Sequence, residues 1–364
     1  MKIEPFKMER WQSIHENLVK YNLSESGVHP LTVKELVGDE SDRLSSTGLG
    51  YGHTNGTPEL RQLISRIYEG QTERNILVTN GSSEANFVSV WHLIERGEKM
   101  ALMLPNYMQI WGLARALGAH VRTFKLQREK DWTLNTEKLK DVLDRKTKLI
   151  VVCNPNNPTG TVLSDSEMKV ICDLAHESRA WILSDEVYQG AEMDGPTTQS
   201  FLDIYERTLV TSGLSKAYGL PGLRIGWIAG PEPTIERLWA KRDYTSIAPS
   251  AVGDLLARIA LKKRSQILDR TRKILRTNLL TLEDWTRRSK VFSFVKPRAG
   301  AIAFVRYSFK RNSTEFAETL REQKSVLVVP GDHFGIDGYL RIGYGAEPEY
   351  LGAALDLISE FIHE

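Results

Sequence analysis

From residue 75 onward the sequence alternates short apolar runs with amphipathic stretches, and this alternation limits the chain to very few folds. "NILVT" (75–79) precedes the helix-like "SSEANFVSVWHLIERG", and "KMALMLP" precedes "MQIWGLARALG". "HVRTFKL" precedes "TEKLKDVLDR", "KLIVVCN" precedes "SDSEMKVICDLAHES", and "WILSDE" and "RTLVTSG" are further strands. Strands alternating with helices of this length predict an α/β architecture with a mainly parallel central sheet. Uninterrupted apolar runs such as "LIVVC" predict strands buried on both faces. The serine and aspartate that open "SDSEMK" are a helix start signal.

After about residue 232 the pattern changes. Residues 232–288 read as largely helical and heavily charged. The strands "VFSFVKP" and "GAIAFVRYS" follow, then the helix "STEFAETLREQ", the strands "SVLVVPG" and "GYLRIGYG", and an amphipathic helix over 347–363. The expected division is a large sheet domain over 41–240 and a smaller α+β domain over 241–364. Residues 1–40 are expected to pack with the smaller domain. A chain of 364 residues is long enough for such a pair.

Composition narrows the function classes. With 41% apolar and 26% charged residues the chain is globular rather than disordered. A net charge of +2 without a basic run gives no nucleic-acid footprint. The cysteines, Cys153 and Cys172, lie in interior-type segments, which fits a reducing cytoplasm and offers no zinc-ligand cluster. There is no apolar signal core at the N-terminus and no run of about 18 apolar residues, so no membrane span is expected.

Open α/β sheets bind ligands outside the carboxyl ends of their strands. The residues that follow each strand are therefore the candidates. "NGSSEA" offers Gly81, Ser82 and Ser83 at the start of a helix, where free amides favour phosphate. "NYMQI" offers Tyr107, "NPNNPTG" offers Asn157, and "DEVY" offers Asp185 and Tyr188. "GLSKAYGLPGLR" offers Ser215, Lys216 and Arg224. Taken singly, these are a cap, a core aromatic, a turn and a surface lysine. At successive strand ends they form a set. A partly desolvated lysine can form a Schiff base. Pyridoxal phosphate needs such a lysine, a partner for its ring nitrogen and a phosphate site.

"NPNNPTG", "SDEVY", "SKAYGLPGLRIGW" and "YLRIGYG", in this order, resemble the fold-type I pyridoxal-phosphate enzymes of the class I/II aminotransferase family. The resemblance spans nearly the whole chain. It implies a large domain with a mainly parallel sheet, a smaller α+β domain and an aminotransferase activity. Lys216 would hold the cofactor as an internal aldimine, and Arg224, Ser215, Gly81, Ser82 and Ser83 would hold its phosphate. Asp185 would face the pyridine nitrogen, Tyr188 and Asn157 the phenolic oxygen, and Tyr107 would stack on the ring. Arg341 would pair with the substrate α-carboxylate. Tyr51 in "GYGHTNGTPELR" would reach the phosphate of a neighbouring subunit, which implies a homodimer with shared sites. Amino acids and 2-oxo acids would be the substrates.

Two departures follow from the same resemblance. The family often has a phosphate-binding serine where this chain has Gly213. In "SESGVHPLT" (24–32) the family folds a segment over the substrate, so Gly27 and His29 become candidate substrate contacts. Together with "LSKAYGLPGLR" and "RDY", this segment is also similar to the capreomycidine-synthase branch, whose chemistry is elimination and cyclisation. His29 is then a candidate acid or base, since an unperturbed imidazole titrates near neutrality. No second arginine is placed by motif to mark a dicarboxylate substrate, and Arg298 in "KPRAG" is the one candidate.

Overall fold

The computed structural model describes residues 2–38 and 41–363. The domain boundary expected at residue 40 lies outside the described residues. In chain order the strands are β1 (Tyr21–Asn22), β2 (Ile76–Thr79), β3 (Lys99–Leu104), β4 (His120–Lys125), β5 (Thr147–Cys153), β6 (Trp181–Asp185) and β7 (Thr208–Gly213). They continue as β8 (Gly226–Ala229), β9 (Phe292–Ser293), β10 (Ile302–Tyr307), β11 (Val326–Leu327), β12 (Val329–Pro330) and β13 (Tyr339–Gly343). A seven-stranded sheet has the order β2-β8-β7-β6-β5-β3-β4. The β4–β3, β3–β5, β5–β6 and β6–β7 pairs are parallel, whereas β8 runs antiparallel to both β7 and β2. The mainly parallel sheet is thus present, and Leu104, Cys153, Asp185 and Gly213 end on one edge.

The apolar runs are explained by burial on both faces. Ala101, Met103, Ile150 and Val152 join one apolar cluster with Phe124, Met168 and Ile171. Their neighbours Met100, Leu102, Leu149 and Val151 join another with Ala85, Val88 and Ile235. Alternate side chains leave a strand on opposite faces, so helix Asp165–Ser178 covers one side and helices Gly81–Leu93 and Glu232–Arg242 the other. Helix Asp165–Ser178 begins where its start signal lies. Ser164 Oγ accepts the Glu167 N–H at 3.3 Å, and the Glu167 carboxylate accepts the Ser164 N–H at 2.8 Å. Such a capping box stabilises a helix by about 1 kcal/mol.

A second, antiparallel sheet has the order β12-β13-β10-β9. "SVLVVPG" is not one strand as its sequence implies. Val326–Leu327 pair in parallel with Tyr21–Asn22, and Val329–Pro330 then pair with Leu340 and Arg341 in the other sheet. The split is imposed by β1, a partner some 300 residues away in sequence. In "VFSFVKP" only Phe292 and Ser293 pair, at the end of β10. β8 escapes a local reading, because four residues among glycines carry no periodic signal. Its place is fixed by pairing on both sides. A Cβ at Gly226 would run into the backbone of Gly81 and Ser82, so this glycine lets helix Gly81–Leu93 begin against the sheet.

Candidate active site

The carboxyl edge of the parallel strands opens into a cavity of about 350 Å³. Ser82, Ser83, Tyr107, Asn157, Asp185, Tyr188, Ser215, Lys216, Arg224 and Arg341 all line it. These candidates are therefore brought together. Gly81 and Gly27 sit behind the wall. A Cβ at Gly81, where φ is +76°, would collide with the Arg224 guanidinium. A Cβ at Gly27 would come within 3.1 Å of the Ser215 carbonyl and 3.6 Å of Lys216 Cα. Arg224 itself has a left-handed backbone, φ +51°. Such a conformation is uncommon for a non-glycine residue and costs of order 1–2 kcal/mol. It aims the guanidinium at Ser215, with Nη1 3.4 Å from Oγ.

The structure explains Gly213. A Cβ there would approach the Ile225 carbonyl to 3.0 Å and Gly226 Cα to 3.1 Å. Close pairing of β7 with β8 makes any side chain tight here, and the phosphate-type donors of the lining are Ser82, Ser83, Ser215 and Arg224.

Lys216 Nζ lies 2.9 Å from Glu25 Oε1. Burial works to lower the ammonium's pKa, but the Glu25 charge, with Tyr188 adding to it, outweighs burial and leaves the group above its ordinary value. Glu25 is driven down to about 2, chiefly by the Lys216 charge, and also accepts the N–H groups of Ser26 and Gly27. Asp185 is buried, which raises its carboxyl to about 6, while Asn86, the Val187 N–H and Lys216 favour the anion. Asn86 donates to Asp185 Oδ2 at 3.3 Å and is itself oriented by the Thr211 hydroxyl at 2.6 Å. A cation facing Asp185 would restore its charge.

Arg341 is 1% exposed. Its guanidinium donates to the Ser24 carbonyl at 2.6 Å, Asn157 Oδ1 at 3.2 Å and Gln12 Oε1 at 3.4 Å, and Nε has no partner. Among the described residues the buried Tyr188 hydroxyl makes no well-formed hydrogen bond, although Ser26 lies close enough to interact with it. Tyr107 donates its hydroxyl to Glu9 at 2.8 Å. Cys153 lines the cavity, but burial holds its thiol well above its ordinary range, so it is not a nucleophile here.

Three further candidates lie away from the cavity wall. His29 Nδ1 is 2.8 Å from the Arg270 guanidinium and 3.0 Å from Glu347, and burial and Arg270 hold its pKa below the ordinary value. The structure thus turns this imidazole towards helix Arg264–Ser289 rather than into the cavity. Tyr51 is 88% exposed. Arg298 donates to the Val162 carbonyl at 3.3 Å.

Sequence reasoning missed Glu9, Gln12, Glu16, Glu25 and Asn86. The first four reach the cavity through the N-terminal segment, whose place depends on β1 pairing with β11. Asn86 carries a weak local signal, a polar residue beside Ala85 on the apolar side of helix Gly81–Leu93.

Glu186, beside Asp185, gives a pH prediction. It is fully buried, and burial raises its carboxyl from 4.5 to about 8, opposed by the Phe201 N–H at 3.1 Å. The unfolded chain releases this proton near 4.5 and the folded chain near 8, so folding weakens as pH rises through that window. Glu186→Gln removes the proton difference. Its melting temperature should gain on that of the parent as pH rises from about 5 to about 8. Parallel melting curves across that range would refute the assignment.

The residues fit pyridoxal phosphate. The glycine-backed donors make a phosphate cradle, Asp185 suits a protonated ring nitrogen, and the Tyr188 hydroxyl, with no well-formed hydrogen bond of its own, suits a phenolic oxygen. The fold and cavity thus define a fold-type I pyridoxal-phosphate enzyme. The family model described as aminotransferase class I and II matches residues 17–358. The chain belongs to that family, as an aminotransferase whose cofactor is pyridoxal phosphate. It is 30% identical to the capreomycidine synthase of Streptomyces vinaceus, over 97% of this chain and 92% of that one. It is 28% identical to an aspartate aminotransferase of Pyrococcus abyssi, over 86% and 84% of the two chains. The solved structure of a PLP-dependent aminotransferase from Streptococcus suis matches with a TM-score of 0.95 at 34% identity, covering 100% of this chain and 98% of that one. Among the described residues no helix is long and apolar enough to cross a membrane.

Proposed function

We propose that the enzyme moves the amino group of an L-amino acid to a 2-oxo acid, with Lys216 as the proton-transfer residue. The Lys216–Glu25 pair on the floor of a cavity shared with Arg341 and Asp185 carries this reading. Arg341 would bind the α-carboxylate through its unpaired Nε and an Nη released from Gln12 or Asn157. Lys216 Nζ, an uncharged amine once the substrate's amino group displaces it, would remove the α-proton and pass it to the cofactor carbon that takes up the amino group. Glu25 Oε1 holds Nζ between these events. Asp185, oriented by Asn86, keeps the ring nitrogen protonated. Tyr188 and Asn157 would donate to the phenolic oxygen, Tyr107 would cover the ring, and Ser82, Ser83, Ser215 and Arg224 would hold the phosphate. Bound pyridoxal phosphate supplies the electron sink for the broken Cα–H bond.

A spectroscopic donor panel tests the reading. The amino form of the cofactor should accumulate when an amino acid is added without a 2-oxo acid. Return of the starting spectrum without accumulation of the amino form would mean elimination, which releases ammonia, or replacement, which does not. That second reading is favoured by the likeness to capreomycidine synthase.

The exposed Tyr51, with Leu49 exposed beside it, supports a homodimer in which Tyr51 reaches the neighbouring site. Residues 1–40 and 241–364 would form the smaller domain and 41–240 the larger, in the cytoplasm. Co-expressing Tyr51→Ala with Lys216→Ala checks the shared site. Each alone should be nearly inactive. Mixed dimers contain one intact site, so activity should return to about a quarter of the parent value. No recovery would exclude exchange of Tyr51 between subunits.

A further inference from the structure

A second cavity, of about 290 Å³, opens where the segment after β4 meets the smaller sheet. It shares no lining residue with the substrate cavity. Arg128, Glu129 and Trp132 line it from the side of the large sheet, and Phe294, Arg306 and Tyr339 from the side of the smaller one. Its size is at the small end for ligand sites, which begin at about 300 Å³.

The floor is a fixed aromatic cluster. The Gln127 N–H donates to the Thr133 carbonyl, and the Trp132 N–H to the Gln127 carbonyl, each at 2.8 Å. Inside this turn Asp131 and Trp132 are both left-handed, with φ +54° and +62°. That backbone is uncommon for any residue with a side chain, and more so for a bulky one. It sets the Trp132 indole against the Tyr339 ring, with centroids 6.1 Å apart, and the Phe304 ring, at 6.0 Å. Tyr339 in turn stacks on Phe304 at 4.6 Å.

Two cations stand at this floor without anionic partners. Arg306 is directly opposite Tyr339 in the β10–β13 pair, so both side chains leave the same face of the sheet. The Arg128 guanidinium lies over the Tyr339 ring, 5.2 Å from its centroid. Among the described residues neither guanidinium makes a hydrogen bond or an ion pair, although Glu129 lines the same cavity. The buried Tyr339 hydroxyl has no hydrogen-bond partner either. Burial raises its pKa, and the charges of Arg128 and Arg306 both act against that rise, so the two guanidiniums converge on one ring. Unpaired guanidiniums beside a desolvated aromatic surface suit an anion with an apolar body. Two arginines and one glutamate leave a single positive charge, which matches a carboxylate better than a phosphate dianion.

The geometry points to a binding site, separate from the substrate cavity, for a carboxylate carried on a flat apolar body. The carboxylate lies between Arg128 and Arg306, and the body rests against Trp132 and Phe294.

The test uses the pyridoxal-phosphate-loaded enzyme and calorimetric titration with three probes: 1-naphthoate, 1-naphthamide and acetate. 1-Naphthoate should bind saturably and at least about tenfold more tightly than 1-naphthamide, which keeps the rings and lacks the charge, or acetate, which keeps the charge and lacks the rings. Arg128→Gln and Arg306→Gln should each weaken 1-naphthoate about tenfold. Glu129→Gln should tighten it about threefold. These three side chains are exposed or part-exposed, so the variants should fold and keep the parent's turnover, with circular dichroism and initial rates as the checks. Arg341→Lys should bind 1-naphthoate as the parent does. Loss of binding in Arg341→Lys would place the ligand in the substrate cavity and overturn the proposal. Equal affinity for 1-naphthamide, unchanged affinity in either arginine variant, or no saturable binding would overturn it too.

Discussion

Lys216→Ala is expected to leave a folded protein that has lost both the visible absorbance of the lysine-bound cofactor and turnover, the latter by at least about 10⁴-fold. The size follows from the lysine's two duties. It is the amine that joins the cofactor, and its Nζ is the base at the α-carbon. Neither neighbour can replace it. Glu25 and Tyr188 carry no amine to join the cofactor, and burial pushes the Tyr188 hydroxyl up to about 12. The fold should tolerate the change. The Lys216 and Glu25 side chains are 26% and 46% exposed, and losing an ion pair this open to solvent costs about 1 kcal/mol or less. Absorbance spectra and initial rates, with circular dichroism to confirm folding, decide the matter. Turnover within tenfold of the parent would sink the role given to Lys216.

How far the site was legible depends on whether each residue is placed locally or by distant pairing. Asp185 closes β6, and Lys216 and Arg224 follow β7, so reading strand ends is enough to gather them. The same logic reaches Ser82, Tyr107 and Asn157. Glu25 and Gln12 are different. They stand at the cavity because Tyr21 and Asn22 pair with Val326 and Leu327, and because the Trp11 indole donates to the Val328 carbonyl at 2.9 Å. Nothing within the first 40 residues encodes those partners. His29 shows the same dependence. Its neighbours offer it as an acid or base or as a residue that shapes the pocket, and Arg270, 241 residues later, takes its Nδ1. The sheet follows the same division. Both-face burial is visible in "LIVVC", whereas β8 and the break in "SVLVVPG" exist only through their pairing.

Arg341→Lys is expected to lower kcat/KM for an α-amino acid by about 10²- to 10³-fold, and to do so mainly through KM. The positive charge is kept, so the loss isolates the fork. The Arg341 guanidinium spends its two Nη groups on the Ser24 carbonyl, Asn157, Gln12 and Met8, in a geometry that one ammonium cannot reproduce. The variant should therefore bind the α-carboxylate at one point and leave Asn157 free to turn. Replacement by alanine would be a poorer probe, since it opens a void at a side chain that is 1% exposed and strands the Ser24 carbonyl. The decisive comparison is between an amino acid and the amine made by removing its carboxyl group. If Arg341 binds the α-carboxylate, the variant should lose little against the amine, and the two substrates should converge in kcat/KM. If instead both fall equally, Arg341 acts by holding the N-terminal segment and Asn157 in place, and the carboxylate must be bound elsewhere in the cavity.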